Sequence, residues 1–228
     1  MIVDCHVNVY EDKQILPLHL EVTRFARAEA VELPSNPAIV ESAMRDVDRA
    51  IVFSLRYKDS IGIDGDDEVT ARLVARNPKK FIGFACLDPR MPDCMDLLVH
   101  AVEDLKLKGV KFGPIYNGVS LLDPRLEPVY QYLVRHNLPL TMHMGTTYGA
   151  NAPIQYGRPL DVDTIANRNK IFWGTDFPFT TVADSIDGLK NVNKVIAGSG
   201  LPRVTQDTID QILHSNPMAH WWHGGLAT

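Results

Sequence analysis

The sequence KIFWGTDFPF, residues 170–179, decides the predicted fold. Its apolar run at 171–173 predicts a short strand that is buried on both faces. A Gly-Thr turn follows, so Asp176 comes where the strand ends, and Pro178 prevents both a longer strand and a helix. A carboxylate delivered in this way is either a solvated loop residue or a site residue.

Two further predicted strands carry polar side chains of the kind that ligate metals. Residues 1–9 are rich in β-branched side chains, and the period of two puts Asp4, His6 and Asn8 on one face. A second apolar strand, in the middle of the chain, ends at His143. Three strands that end in such residues are typical of a barrel whose chemistry lies at the carboxyl ends of its strands.

The motifs DCHVN, KFGP, HMG and GTDFPF follow one another in an order that resembles the amidohydrolase superfamily. The branch that the chain resembles most contains aminocarboxymuconate-semialdehyde decarboxylase, the resorcylate-type decarboxylases and many metal-dependent hydrolases. The resemblance extends over nearly the whole chain, and GTDFP is its most specific motif. It implies a single domain, residues 1–228, with the fold of a (β/α) TIM-type barrel.

The same resemblance implies a divalent metal, zinc by ligand type or alternatively manganese, on His6, His143 and Asp176. Asn8 stands where the family has a second histidine, and an amide oxygen binds zinc far more weakly than an imidazole nitrogen does. Asn8 is therefore expected to complete the ligand set weakly, or to hold a water or a substrate oxygen. Asp176 is expected to exchange a proton with the water or with the substrate.

Two cations near the ends of predicted strands are candidates for binding a substrate carboxylate. Lys111 lies in the predicted strand 109–114, and Arg56 directly follows the predicted strand 50–55. Lys111 either binds a substrate carboxylate or pairs with a neighbouring acid. Arg56 either anchors a substrate carboxylate through two hydrogen bonds or lies at the surface. A carbamylated Lys111, as in related barrels, is a further interpretation.

The alternation of predicted strands and helices along the chain predicts a parallel sheet with crossover helices. Residues 10–37, which contain three prolines, are predicted to form a rim loop in which His19 is solvated. After His143 there is room only for a loop and a short helix at 160–166, where a full barrel has two more strand–helix units, about 60 residues. The prediction is therefore a discontinuity of the sequence near 166–170, or an oligomer that covers the open edges.

Composition narrows the class of partner. The net charge of −5 and the lack of any basic run argue against nucleic acid, so a small molecule or another protein is expected. Three unpatterned cysteines, and a first strand that begins at Met1 without a leader, predict a reduced, cytoplasmic protein. No apolar run approaches the length that spans a membrane. A homodimer or higher homo-oligomer is expected.

The residues and the resemblance together imply a metal-dependent hydrolase that acts on a small carboxylated or cyclic substrate. A non-oxidative decarboxylase of the same family is the first alternative, because it would use the same ligands. The second alternative is a catalytically impaired relative that keeps the fold as a binding or assembly subunit. Asn8 and the short segment after His143 are the observations that favour this last alternative.

Overall fold

A computed structural model describes residues 2–27, 31, 33–145, 147, 149, 151–158, 173–195, 197–198 and 203–214. The strands are Val3–Asn8 (β1), Arg49–Phe53 (β2), Arg56–Tyr57 (β3), Ile63–Asp64 (β4), Phe81–Leu87 (β5), Val110–Phe112 (β6) and Leu140–Met142 (β7). Within the described residues, β1, β2, β5, β6 and β7 form one parallel sheet in that order. Strands β3 and β4 form a small antiparallel ribbon.

Helices alternate with the strands of the parallel sheet. The α-helices are Pro17–Arg27 (α1), Pro37–Ala43 (α2), Lys58–Ile61 (α3), Asp67–Arg76 (α4), Cys94–Glu103 (α5), Pro114–Asn117 (α6), Glu127–Arg135 (α7), Val182–Lys190 (α8), Val192–Val195 (α9) and Gln206–His214 (α10). Short 3-10 helices cover Asp12–Gln14, Met44–Asp46, Pro124–Leu126 and Ile154–Gly157. The curled parallel sheet with its helices is a half-barrel, which confirms the predicted (β/α) fold class.

The segment that contains GTDFP lies beside β1, on the side opposite β2. The backbone N–H of Cys5 donates to the carbonyl of Trp173 at 3.0 Å, and that of Asn8 donates to the carbonyl of Phe177 at 2.9 Å. Val7 and Phe177 form a parallel bridge between these hydrogen bonds. This segment therefore occupies the place of the last barrel strand, next to the first.

Local sequence signals explain where several elements begin. The side chain of Asn36 accepts a hydrogen bond from the N–H of Ile39 and caps α2, and Asp66 caps α4 through the N–H of Val69. All seven residues of β5 are buried, as an apolar run between two parallel neighbours predicts. The caps and the central strand thus follow from the local sequence.

The predicted rim loop over residues 10–37 is wrong, because α1 lies within it. The buried side of α1 includes His19, Val22 and Thr23, so its apolar stripe is interrupted by two polar residues. His19 is fully buried rather than solvated, and its Nδ1 lies 3.0 Å from the carbonyl oxygen of Ile61. The helix was missed because its buried face is not uniformly apolar.

Residues 159–172 lie outside the described residues. They include the predicted helix 160–166, the expected discontinuity near 166–170 and the first two residues of the predicted strand 171–173. All three therefore stay predictions. Trp173 is described, and its indole Nε1 donates to Oγ of Ser185 at 3.1 Å.

One cluster of the apolar core joins the two ends of the chain. Val7 and Val52 of the sheet pack in it together with Trp173, Phe177 and Val182. The segment 173–182 is therefore anchored by side-chain packing as well as by the hydrogen bonds to β1. Among the described helices, none is long and apolar enough to cross a membrane.

Candidate active site

A buried carboxylate ties the GTDFP turn to β1. Asp4, which is fully buried, accepts hydrogen bonds from the N–H of Thr175 at 2.9 Å, from Oγ1 of Thr175 at 2.6 Å and from the N–H of His6 at 3.0 Å. Burial raises the pKa of Asp4 to about 6, and these hydrogen bonds oppose the shift. Asp4 therefore fixes the residue before Asp176 against the strand that carries His6.

Asp176 lies in a turn with a special backbone conformation. Its φ of 58° is in the left-handed region, which Asp tolerates better than most residues do. The N–H of Phe177 donates to Oγ1 of Thr175 at 3.0 Å and supports the turn. A Cβ at Gly174 would lie 2.9 Å from the Cβ of His6, so only glycine permits this close approach. The turn leaves the Asp176 side chain 47% exposed.

His6 and Asp176 are in direct polar contact in the site. Nε2 of His6 lies 2.9 Å from Oδ1 of Asp176. Burial lowers the pKa of His6, and the positive charge of Lys111 lowers it further. Burial raises the pKa of Asp176, but the charge and hydrogen bond of His6 and the charge of Lys111 outweigh it, so this pKa lies below its usual value. A neutral imidazole whose Nε2–H donates to an ionised carboxylate fits both directions.

Asn8 contacts the same oxygen of the Asp176 carboxylate as His6 does. Its Nδ2 donates to Oδ1 of Asp176 at 3.2 Å and to the carbonyl oxygen of Phe177 at 2.7 Å. The carbonyl oxygen of Phe177 can only accept, so the amide nitrogen must face it. The amide oxygen is buried and has no hydrogen-bond partner among the described residues. Asn8 therefore presents a donor, not an oxygen, to Asp176.

Lys111 of β6 reaches the same pair from across the sheet. It is 1% exposed, its Nζ lies 3.3 Å from Nε2 of His6, and it lies 4.8 Å from the centre of the Phe53 ring. Burial lowers the pKa of Lys111 to about 8, and the negative charge of Asp176 opposes this shift. The side chain thus remains mostly an ammonium ion near neutral pH.

These residues line a cleft with an aromatic wall. His143 follows β7, and its ring lies 4.7 Å, centre to centre, from the ring of Tyr116, which stacks on Tyr57 at 4.7 Å. The cleft is lined by His6, Asn8, Leu55, Tyr57, Ile61, Lys111, Tyr116, His143, Asp176 and Phe179. It thus brings the carboxylate of Asp176, the ammonium of Lys111 and the ring of His143 to one place.

The structure does not bring Arg56 into this cleft. Its guanidinium donates to Oδ2 of Asp67 at 3.0 Å and, through Nε, to the carbonyl oxygen of Cys86 at 3.0 Å. The Arg56 side chain is 15% exposed and lines a separate cavity with Asp67 and Cys86. Neither interpretation of Arg56 from the sequence holds, because its side chain lies neither in the cleft nor at the surface but pairs with the buried Asp67.

The arrangement does not fit the predicted metal ligand set. Within the described ranges, no three His, Cys, Asp or Glu side chains converge as a group that could hold a metal ion. His6 and Asp176 lie together, and His143 lines the same cleft, but Asn8 directs its NH₂ group at Asp176. The ammonium of Lys111, next to His6, adds a positive charge where a second cation is unfavourable.

Sequence reasoning missed the residues that support and face this pair. Thr175 connects Asp4 to the turn, and the only signal for it is its place before Asp176 in GTDFP. Tyr116, whose hydroxyl accepts a hydrogen bond from Oγ1 of Thr147 at 3.0 Å, follows the KFGP motif by two residues. Aromatic residues directly after a predicted strand end are a signal that could have identified it.

Solved structures of low sequence identity share the fold. An uncharacterised TIM-barrel protein from Bordetella bronchiseptica matches with a TM-score of 0.60 at 15% identity, covering 93% of this chain and 95% of its own. The 4-oxalomesaconate hydratase of Rhodopseudomonas palustris matches with 0.54 at 14% identity, covering 97% and 95%. A 2,6-dihydroxybenzoate decarboxylase from Rhizobium matches with 0.57 at 12% identity, covering 96% and 98%. At such identities the likeness shows the fold alone.

Sequence comparison goes further than the fold. A stretch of 90 residues is 29% identical to the 2-amino-3-carboxymuconate-6-semialdehyde decarboxylase of Dictyostelium discoideum. It covers 39% of this chain, but only about a quarter of the length of that relative. The family model described as Amidohydrolase matches residues 3–169, which is well over half of the chain. The chain therefore belongs to the amidohydrolase family.

Proposed function

We propose that the protein is a hydrolase for a small carboxylated or cyclic substrate, with Asp176 as the general base. The observation that carries this proposal is the half-exposed Asp176 carboxylate, fixed by Nε2 of His6 at 2.9 Å in the wall of a cleft. Despite the opposing effect of burial, His6 and Lys111 keep the pKa of Asp176 below its usual value. An ionised carboxylate accepts a proton from water, which hydrolysis requires.

Each side chain of the cleft has a part in this reaction. Asp176 takes a proton from the water molecule whose oxygen attacks the scissile carbonyl, and it returns this proton to the leaving oxygen or nitrogen as the scissile bond breaks. His6 and Asn8 hold the carboxylate in place through their N–H groups. Lys111 binds a carboxylate of the substrate, and the rings of Tyr116 and His143 pack against its unsaturated part. A positioned base of this kind contributes typically about 10²- to 10⁴-fold to the rate.

A decarboxylase is the second candidate, because the 90-residue stretch resembles an enzyme with that name. In that reaction Lys111 orients the carboxylate that leaves as carbon dioxide. A protonated Asp176 or a water then delivers a proton to carbon. The lowered pKa of Asp176 disfavours the protonated form, so the water is the better donor in this version.

The metal is a separate matter. The family generally depends on a divalent metal. A zinc or manganese ion on His6, Asn8, His143 and Asp176 stays a prediction from the resemblance, and the roles given above use only the side chains of the chain.

The setting of the enzyme is also a proposal. Cys5, Cys86 and Cys94 are free thiols, which supports the proposed location in the reducing cytoplasm. The substrate is a small molecule, as in the rest of the family. A homodimer or higher homo-oligomer stays a prediction.

The test compares the wild type with Asp176→Asn, which keeps the side-chain volume and removes the charge. Carboxylated lactones and amides, and carboxylated phenols, serve as substrates, and mass spectrometry distinguishes the addition of water from the loss of carbon dioxide. We expect hydrolysis by the wild type and a loss of at least about 100-fold in the variant. The exposed carboxylate of Asp207, changed to Asn, is the matched control and retains full activity.

Three outcomes would contradict the proposal. An Asp176→Asn variant within about threefold of the wild type means that Asp176 is not the base. Loss of carbon dioxide from a substrate, without any hydrolysis, means that the protein is a decarboxylase. Binding of carboxylates without turnover of either class indicates the catalytically impaired relative.

A further inference from the structure

Lys111 carries an ammonium ion that is buried without a carboxylate partner. Among the described residues, no carboxylate oxygen lies within 4 Å of its Nζ, and its polar contact is Nε2 of His6 at 3.3 Å. The ring of Phe53 covers another side of the ammonium. The carboxylate of Asp176 acts on this charge from a distance but contacts His6, so an anion that contacts the ammonium directly would stabilise it further. Lys111 lines the cleft, where that anion can enter.

Nε2 of His6 offers no free lone pair to a metal in either tautomer of the ring. If Nε2 carries the proton, it donates to Oδ1 of Asp176 at 2.9 Å and has no lone pair for a metal. If Nδ1 carries the proton, Nε2 accepts a hydrogen bond from the ammonium of Lys111. A metal ligand must present a free lone pair, so both forms compete with metal binding.

Asn8 also supplies a donor where a ligand would be needed. Its NH₂ group is fixed by the carbonyl oxygen of Phe177 at 2.7 Å and points to Asp176. Turning the amide to bring its oxygen toward Asp176 would break both hydrogen bonds. The carboxylate of Asp176 therefore has nitrogen donors around it rather than further metal ligands.

We propose that the ammonium of Lys111 supplies the positive charge that a divalent metal supplies elsewhere in the family, and that this chain binds carboxylated ligands without a metal. The proposal rests on the proposed function only for the choice of a carboxylate as ligand. Lys111 binds the anion directly, while His6 and Asn8 keep Asp176 fixed beside it.

The first test measures metal binding by the full chain. The purified protein is treated with EDTA, incubated with zinc or manganese chloride, desalted and analysed for metal by mass spectrometry. We expect far less than one equivalent in the wild type. Lys111→Met removes the ammonium, so its affinity for zinc should rise at least about tenfold. Adding Asn8→His supplies an imidazole ligand as well, so the double variant should bind zinc more tightly still. The exposed Lys190→Met is the matched control and changes nothing.

The second test measures anion binding with benzoate and maleate as probes, and benzamide as the neutral isostere of benzoate. Calorimetry is performed with and without EDTA. We expect at least one of the two carboxylates to bind equally well in both buffers, benzamide not to bind, and Lys111→Met to lose at least about tenfold in affinity. Wild-type protein suffices for the EDTA comparison, so the test stands even if a variant does not fold.

The results separate this inference from the proposed reaction. One tightly held equivalent of metal, or carboxylate binding that EDTA abolishes and zinc restores, would overturn the role of Lys111 even if Asp176 proves to be the base. Failure of both carboxylates to bind the wild type overturns it as well. Binding that depends on Lys111 and resists EDTA, in a protein that hydrolyses none of the substrates, supports the inference and rejects the hydrolase.

Discussion

Among single residues, Asp4 organises the site without facing the substrate. Its carboxylate accepts three hydrogen bonds, and two of them come from Thr175, which directly precedes Asp176. The left-handed backbone at Asp176 persists because the surroundings fix it on both sides. Asp4 and Thr175 are therefore positioning residues. Their substitution should displace the Asp176 carboxylate even in variants that still fold.

Thr175→Val tests this positioning role, because it keeps the shape and removes only the hydroxyl. The buried Oδ2 of Asp4 then loses its 2.6 Å hydrogen bond and the N–H of Phe177 loses its acceptor. We expect a loss of about 2 kcal/mol in the free energy of unfolding, measured in urea, and a lower kcat. Thr175→Ser keeps the hydroxyl and serves as the control. Equal stability and kcat in the two variants would refute the role.

Among the elements, α1 depends on a buried histidine. Nδ1 of His19 donates to the carbonyl oxygen of Ile61 and fastens α1 to α3, so Nε2 carries no proton in the neutral ring. Burial lowers the pKa of His19, and the hydrogen bond to Ile61 opposes the shift. The folded state therefore resists protonation of this ring more than the unfolded chain does.

The lowered pKa of His19 predicts acid sensitivity. Its contribution to stability is complete above the unfolded pKa of about 6.5 and is lost as the pH falls below that value, because the unfolded chain then binds more protons. His19→Gln removes the group that titrates. Between about pH 7.5 and about pH 5, the free energy of unfolding, measured in urea, should therefore fall less in this variant than in the wild type. The exposed His214→Gln is the control. Identical pH slopes in wild type and His19→Gln would exclude this role.

The Arg56–Asp67 pair connects three elements. Arg56 lies in β3 and Asp67 begins α4. Asp67 also accepts a hydrogen bond from the N–H of Cys86 in β5 at 2.8 Å. Arg56→Met leaves the buried Asp67 carboxylate without its partner, and we expect a loss of about 3–5 kcal/mol in the free energy of unfolding. Adding Asp67→Asn removes the unpaired charge, so the double variant should recover a substantial part of the lost free energy of unfolding.

An exposed pair provides the comparison for Arg56. Arg125→Met breaks the ion pair with Asp123 at the surface and should lower the free energy of unfolding far less than Arg56→Met does. In folded Arg56→Met, the affinity for benzoate should equal that of the wild type, because Arg56 does not line the cleft. A tenfold loss of affinity for benzoate would instead show that Arg56 binds the substrate carboxylate.

The elements that sequence reasoning predicted are those set by local signals. The strands β1, β2 and β6 and the turn at GTDFP each depend on a few neighbouring residues. The proximity of His6 and Asp176 was predictable from the resemblance, since the motifs carry both. The contact between Lys111 and His6 joins residues 105 positions apart, and no local pattern determines it.

The direction of a side chain was harder to predict than its place on a strand. Arg56 lies next to a predicted strand end, but the buried carboxylate of Asp67 decides where its guanidinium goes. Likewise α1 was predicted as a loop, because His19 and Thr23 interrupt its apolar stripe and become buried only through tertiary contacts. Both failures concern polar groups that the core makes buried.

In the whole molecule, the sheet has two different ends. On one side the segment with Phe177 pairs with β1, as the closing strand of a barrel does. On the other side β7 pairs with β6, and no other described strand contacts it. Leu140 and Met142 of β7 are only partly buried, so an uncovered edge there would expose apolar side chains and free N–H groups together.

We therefore predict that the outer edge of β7 is covered in solution, by another part of the same chain or by a second copy of it. Pro139 accepts from Val110, and His143 donates to Phe112, so alternation turns the N–H groups of Leu140 and Met142 away from β6. Hydrogen exchange at these two amides should be slow.

Light scattering at several concentrations measures the oligomeric state and so decides whether the same chain or a second copy covers the edge of β7. Slow exchange of Leu140 and Met142 in a monomer, unchanged on dilution, assigns the cover to the chain itself. Slow exchange in a dimer that is lost on dilution assigns it to a second copy, because an edge paired between copies depends on their concentration. The N–H of Thr141, which alternation turns toward β6, is the internal reference and should be slow in every case. Fast exchange of both outward amides in a stable monomer would show that the edge is open and that the prediction is wrong.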